Sequence, residues 1–163
     1  MNSTRPIALT IGILSALSVF GLRTAYGAKP ANPCALLTGA QVNAVLGVRV
    51  ANGVLVVPKL CDWSTSSSLT PSPKKLSITF ESVQAFEYSK TQVGRGITKE
   101  PVPGLGDEAI QSTTPKVATT LTVKKGDLVF VIHVWGFPID PGKPLNQVQA
   151  MEKTLAIEAL ANL

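Results

Sequence analysis

Alternating runs of β-branched and aromatic residues dominate Ala118–Trp135. Ala-Thr-Thr-Leu-Thr-Val-Lys precedes Lys125-Gly126, and Asp-Leu-Val-Phe-Val-Ile-His-Val-Trp follows it. Period-two alternation on both sides of a two-residue turn with Gly predicts a tight hairpin. With Lys125-Gly126 as the loop, Val123 faces Leu128, Leu121 faces Phe130 and Thr119 faces Ile132. Those residues make one apolar face. Thr120, Thr122, Val129, Val131, His133 and Trp135 make a mixed one. A slip of one residue would turn the apolar set outward, so the pattern sets the register of the sheet.

The pattern elsewhere predicts further elements. Thr38 and Gln41 form a capping box, Leu37 and Val42 a hydrophobic staple, and Gly47 a stop, which predicts a helix over Gly39–Leu46. Val48–Ala51 and Val54–Val57 flank Asn52-Gly53, a preferred hairpin pair, with Pro58 ending the second strand or placing it at an edge. Leu60–Thr65 reads as a short strand with Cys61 and Trp63 on one face, and Ser64–Pro73 as an exposed loop. Leu76, Ile78 and Phe80 alternate with Ser77, Thr79 and Glu81 as a half-buried strand. Ser82 caps a helix with Val83, Phe86 and Val93 inward, stopped by Gly94 and Gly96. Lys99–Gly106 reads as a turn-rich connection, Asp107–Gln111 as a short strand and Ser112–Lys116 as a polar turn. A Pro/Gly loop from Gly136 leads to Pro144, which opens a last helix to about Ala161 with Leu145, Val148, Met151, Leu155, Ala159 and Asn162 near one face. These elements predict a single α+β domain, with a mostly antiparallel sheet of about five to seven strands and two or three flanking helices.

The N-terminus changes the picture. Residues 1–27 read as a secretory signal peptide: Arg5, an apolar run over Ile7–Phe20, then Ala25-Tyr26-Gly27 before Ala28. That run is shorter than the ~20 residues of a membrane span, and no later stretch is long and apolar enough to cross. Residues 28–163 then form the domain. Loss of Arg5 and Arg23 lowers the formal net charge from +5 to +3. The cations are spread singly or in pairs, with no basic stripe and interleaved aromatics, which argues against nucleic acid. Two cysteines in an exported chain predict one disulfide, Cys34–Cys61, worth on the order of 3–4 kcal/mol through loop-closure entropy. Ala-Asn-Pro before Cys34 is not a lipobox, and the spacing is not that of a redox pair.

Pro33-Cys34-Ala35-Leu36-Leu37-Thr38, Leu46-Gly47, Cys61-Asp62-Trp63, Val102-Pro103-Gly104-Leu105-Gly106-Asp107-Glu108-Ala109 and Val123-Lys124-Lys125-Gly126-Asp127 occur in that order. The set resembles a family of exported bacterial domains of unknown function, many of them actinobacterial lipoproteins, over nearly all of the mature chain. The missing lipobox means that lipid anchoring does not follow from the resemblance. The element order is also similar to PsbP-like folds, an antiparallel sheet with helices against it.

The residues give little catalytic chemistry. His133 is the only histidine, and no nucleophile elbow accompanies it. One His and two paired Cys do not make a typical zinc site, and no cofactor is expected. Asp107 and Glu108 are adjacent and point to opposite faces of a strand, and Val102–Gly106 lacks the Gly-Lys-Ser/Thr of a phosphate cradle. His133, Trp135 and Phe137, with Leu105 from the Gly-rich loop, are the candidate lining of a shallow apolar pocket or partner surface. The expectation is a non-enzymatic binding or interaction module of the envelope, its partner an envelope protein or a small apolar ligand. The alternatives are a hydrolase using His133 and a purely structural envelope protein.

Overall fold

The computed structural model describes residues 30–65, 73–92, 94, 96–115, 117–137 and 144–163. The predicted signal peptide, Val93, and most of the Ser64–Pro73 and Gly136–Pro144 loops lie outside them. Seven strands form one antiparallel sheet: β1 Val54–Val57, β2 Leu60–Ser64, β3 Lys75–Glu81, β4 Thr98–Pro101, β5 Glu108–Thr114, β6 Ala118–Lys125 and β7 Leu128–Trp135. Their spatial order is β1-β2-β3-β7-β6-β5-β4. Three α-helices accompany them among the described residues, α1 Gly39–Leu46, α2 Val83–Thr91 and α3 Pro144–Ala161, with a short 3-10 turn at Pro33–Ala35. This is an α+β domain with β1 and β4 at its two edges. Among the described residues no helix is long and apolar enough to cross a membrane.

The helices lie on both faces. Cys61, Trp63, Leu76, Ile78, Leu121, Val123, Phe130 and Ile132 project to the inner face, where they share one core with Leu36, Val42 and Leu46 near α1 and with Val148, Leu155, Ala156 and Ala159 of α3. Both predicted ends of α1 are present: the reciprocal Thr38–Gln41 capping box, and Gly47 in the left-handed region at φ 64°. α2 sits on the outer face instead. It begins at Ser82, whose hydroxyl accepts from the Ala85 N–H, and it buries Phe86. Its Glu87 and Lys90 reach Lys124 and Glu108, which share the outer-face row with Val129 at the β6–β7 turn. Lys99 Nζ donates to the Ser89 and Gln92 carbonyls at the helix C-terminus. α2 therefore covers the turn end of the outer face.

The central hairpin forms with a different loop. Lys125 pairs with Leu128, Val123 with Phe130 and Leu121 with Ile132, so the turn residues are Gly126-Asp127. The shift moves each cross-strand partner by two residues, which leaves the inward set unchanged. A tertiary contact selects this turn. The Asp107 carboxylate accepts from the Gly126 N–H and the Lys125 ammonium, each at 2.7 Å, and Gly126 takes φ 56°.

Asn52-Gly53 is not a hairpin loop. Val48–Ala51 is not a strand; β1 instead turns back through Pro58-Lys59 to pair with β2. Gly53 is needed for close approach. A Cβ there would lie 2.6 Å from Trp63 Cε2 and 2.8 Å from Cys61 Sγ. Gly53→Ala is expected to cost about 1–3 kcal/mol by overpacking the Trp63–disulfide contact. An unchanged urea midpoint would contradict this.

The predicted connection at Lys99–Gly106 contains edge strand β4, whose Pro101 sits where the sheet needs no further N–H donor. The predicted turn at Ser112–Lys116 begins later, because β5 continues to Thr114 in register with β6. α2 ends at Thr91, short of Gly94.

Candidate functional site

Beyond α2, the outer face carries a lateral row across four strands. Val54 of β1 pairs with Asp62 of β2, Asp62 with Ser77 of β3, and Ser77 with His133 of β7. In the next outward-facing row Ser64 pairs with Lys75, and Lys75 with Trp135. Strand alternation puts these side chains on one surface, as expected for His133 and Trp135. The two rings stack, with centroids 3.6 Å apart and planes inclined by 25°. Trp135 is 48% exposed.

Polar groups flank the stack. Asp62 accepts from the Ser77 hydroxyl at 2.8 Å and pairs with the Lys75 ammonium at 2.7 Å. Burial, aided by the positive charge of Lys75, pushes the His133 imidazole down to about 4, so it is neutral at pH 7. Among the described residues, no side chain hydrogen-bonds to that imidazole. The Ser77 hydroxyl is committed to Asp62. General-base catalysis needs the base within hydrogen-bond reach of the nucleophile, and a third group to orient the base.

The other two candidates lie elsewhere. Phe137 packs against the inner core, with Lys74 Nζ 4.8 Å above its ring. Leu105 is buried in that core at the β6–β7 turn end, where neighbouring Gly106 abuts Val123 and Lys124. Trp135 ends β7, roughly 23 Å from that turn at the usual rise per residue. The expected pocket from all four residues therefore does not form. The Gly-Leu-Gly-Asp loop buttresses the hairpin instead. Its two turn contacts hold the Asp107 carboxyl below the usual carboxylate range.

A second polar cluster lies in the core. Glu152 of α3 is fully buried. Its Oε2 accepts from Gln111 Nε2 at 2.7 Å and Thr119 Oγ1 at 3.4 Å, and its Oε1 from the Val134 N–H at 3.4 Å. Burial pushes its carboxyl up to about 7 against these weaker stabilising bonds. The only forewarning was positional: Glu152 lies between Val148 and Leu155, Ala156 on the apolar side of α3. Among the described residues no cluster of three or more His, Cys, Asp or Glu side chains converges to hold a metal ion.

Comparison with protein-family models, with curated proteins and with solved structures returned no match. The functional reading therefore stands on the side chains of this chain.

Proposed function

We propose that this is an exported, non-catalytic interaction domain that engages a partner or an apolar ligand through the outer sheet face around Trp135. The carrying observation is the half-exposed indole stacked on a neutral imidazole, beside Asp62, Ser77 and Lys75, on the part of the sheet that α2 leaves open. A flat aromatic with a few fixed polar neighbours suits recognition, which needs an apolar platform and orienting groups. The disulfide and the resemblance to exported bacterial domains support residence outside the cytoplasm.

Trp135→Ala is expected to weaken retention of partners from a native envelope extract by about tenfold, the size of a modest aromatic hot spot. His133→Ala should have a smaller effect. Circular dichroism confirms that both variants fold. Full retention by both would place the site elsewhere. A hydrolytic activity of the wild type that disappears in His133→Ala would establish the hydrolase reading instead.

A further inference from the structure

The two edges of the sheet are built differently. β4 is protected: it carries Lys99, Glu100 and Pro101, residue types that keep foreign strands away. β1 is equally short but reads Val-Leu-Val-Val, with every side chain between 46% and 60% exposed. It holds no charge and no proline, and its far side has no strand partner among the described residues. Exposed aliphatics on an open backbone edge are what strand addition uses: main-chain bonds supply affinity, and alternate side chains supply contact.

The chain around β1 defines its ends. Ala51 N–H donates to the Ser64 carbonyl at 3.0 Å, so the segment before β1 continues its line beyond the end of β2. Val50 is buried in the core and its N–H donates to Asn43 Oδ1 at 2.6 Å, which anchors that segment. Among the described residues, Arg49, Val50, Ala51 and Asn52 line an open cleft there. Arg49 forms no ion pair with a described residue. Lys59 stands in the turn at the other end, and no acidic residue occurs between Gly47 and Leu60.

We propose that the edge of β1 takes up the extended C-terminal tail of another protein as an antiparallel strand, with the terminal carboxylate seated by Arg49. The direction follows from charge: of the two ways a strand can add to β1, the antiparallel one runs past Val54 and brings its C-terminal carboxylate to the Arg49–Asn52 cleft. Charge separates this occupant from a second copy. Two-fold pairing of β1 with itself, Val54 against Val57, would set Lys59 against Asn52 of the second copy, and with no acidic residue between Gly47 and Leu60 that segment of the second copy would bring no anion to Arg49. A chain terminus suits so short an edge, since it orders one flank only. This is the backbone edge of the sheet, three strands along the row from His133, and the proposal does not rest on the indole platform.

The test uses the mature chain and an array of random octapeptides immobilised by their N-termini, in paired free-acid and C-terminal amide forms. The free-acid peptides should bind about tenfold better, and the preferred ones should carry aliphatics at alternate positions. Arg49→Gln should bring the free-acid signal down to the amide level. Val54→Lys with Val56→Lys, both at exposed positions, should abolish both signals while the far-ultraviolet spectrum stays unchanged. Trp135→Ala should leave the array unchanged. The proposal fails if wild type retains no peptide beyond the double-lysine variant, if acid and amide bind alike, or if Arg49→Gln binds as wild type. It also fails if ultracentrifugation shows a dimer that the double-lysine variant dissolves, since β1 then pairs with its own copy.

Discussion

Cys34→Ala is expected to lower the unfolding free energy by about 2–5 kcal/mol. Cys34 lies in the 3-10 turn at Pro33–Ala35, and its bond to Cys61 joins positions separated by 27 residues, with Cα atoms 5.2 Å apart. The closed loop contains α1 and β1. Without the bond the denatured chain regains its loop entropy, on the order of 3–4 kcal/mol for this length. The folded state loses contacts as well. Cys61 is fully buried next to Trp63 and Gly53, and the turn carrying Cys34 packs over β1, β2 and β3. β1 is hydrogen-bonded to a neighbour on one side only, so it should loosen first. Urea unfolding in non-reducing buffer measures the loss, and wild type treated with reductant should reproduce it. An unchanged midpoint would show that the bond adds nothing to stability.

Glu152→Gln is expected to remove a loss of stability that develops in wild type between about pH 4.5 and 7. In the folded state the carboxyl is pushed up from 4.5 to about 7, with burial as the main cause. Gln111, Thr119 and the Val134 N–H face it from β5, β6 and β7, and none of them is charged. Below about pH 4.5 both folded and unfolded states hold the proton, and the group costs nothing. Between about pH 4.5 and 7 the unfolded chain has released the proton that the folded chain still holds, so stability falls as pH rises. Above that window the loss levels at roughly 3 kcal/mol, from about 1.4 kcal/mol per unit. The Gln variant should gain about 1–3 kcal/mol over wild type at pH 8 and little at pH 4. His133 acts in the opposite sense. Its pKa is depressed on folding, so its contribution is present above about 6.5 and lost as pH falls through about 4. The two windows overlap with opposite sign, so the single variants separate them: in urea midpoints at pH 4, 6 and 8 Glu152→Gln removes the falling contribution and His133→Ala the rising one. A Glu152→Gln curve parallel to wild type at every pH would show that Glu152 does not titrate in this window.

Local chemistry made much of the fold legible. The Thr38–Gln41 box, the Ser82 cap and Gly47 act within one helical turn, so neighbouring residues suffice to specify them. Alternation in β3, β6 and β7 fixes which side chains face inward, because the pleat has period two whatever the partner strand. Two cysteines left one intramolecular pairing, and the fold brings it together. His133 and Trp135 share a face for the same reason of period.

What depended on distant residues was decided by the tertiary structure. Asp107, 19 positions before Gly126, selects the hairpin turn. The nearness of Trp63 and Cys61 explains why Gly53 is a packing residue and Asn52-Gly53 is not a hairpin loop. Pairing with β5 turned Thr98–Pro101 into an edge strand despite its proline. α2 went to the outer face, where Phe86 is buried beneath Lys90 and Lys124, because the inner face was already filled by α1 and α3. Leu105 was drawn into the core and away from the candidate surface. Glu152 was enclosed with Gln111 and Thr119 because α3 lies across β6 and β7. Each outcome rests on contacts between segments far apart in the chain, and hydrophobic period or turn propensity, being local, carries no record of them.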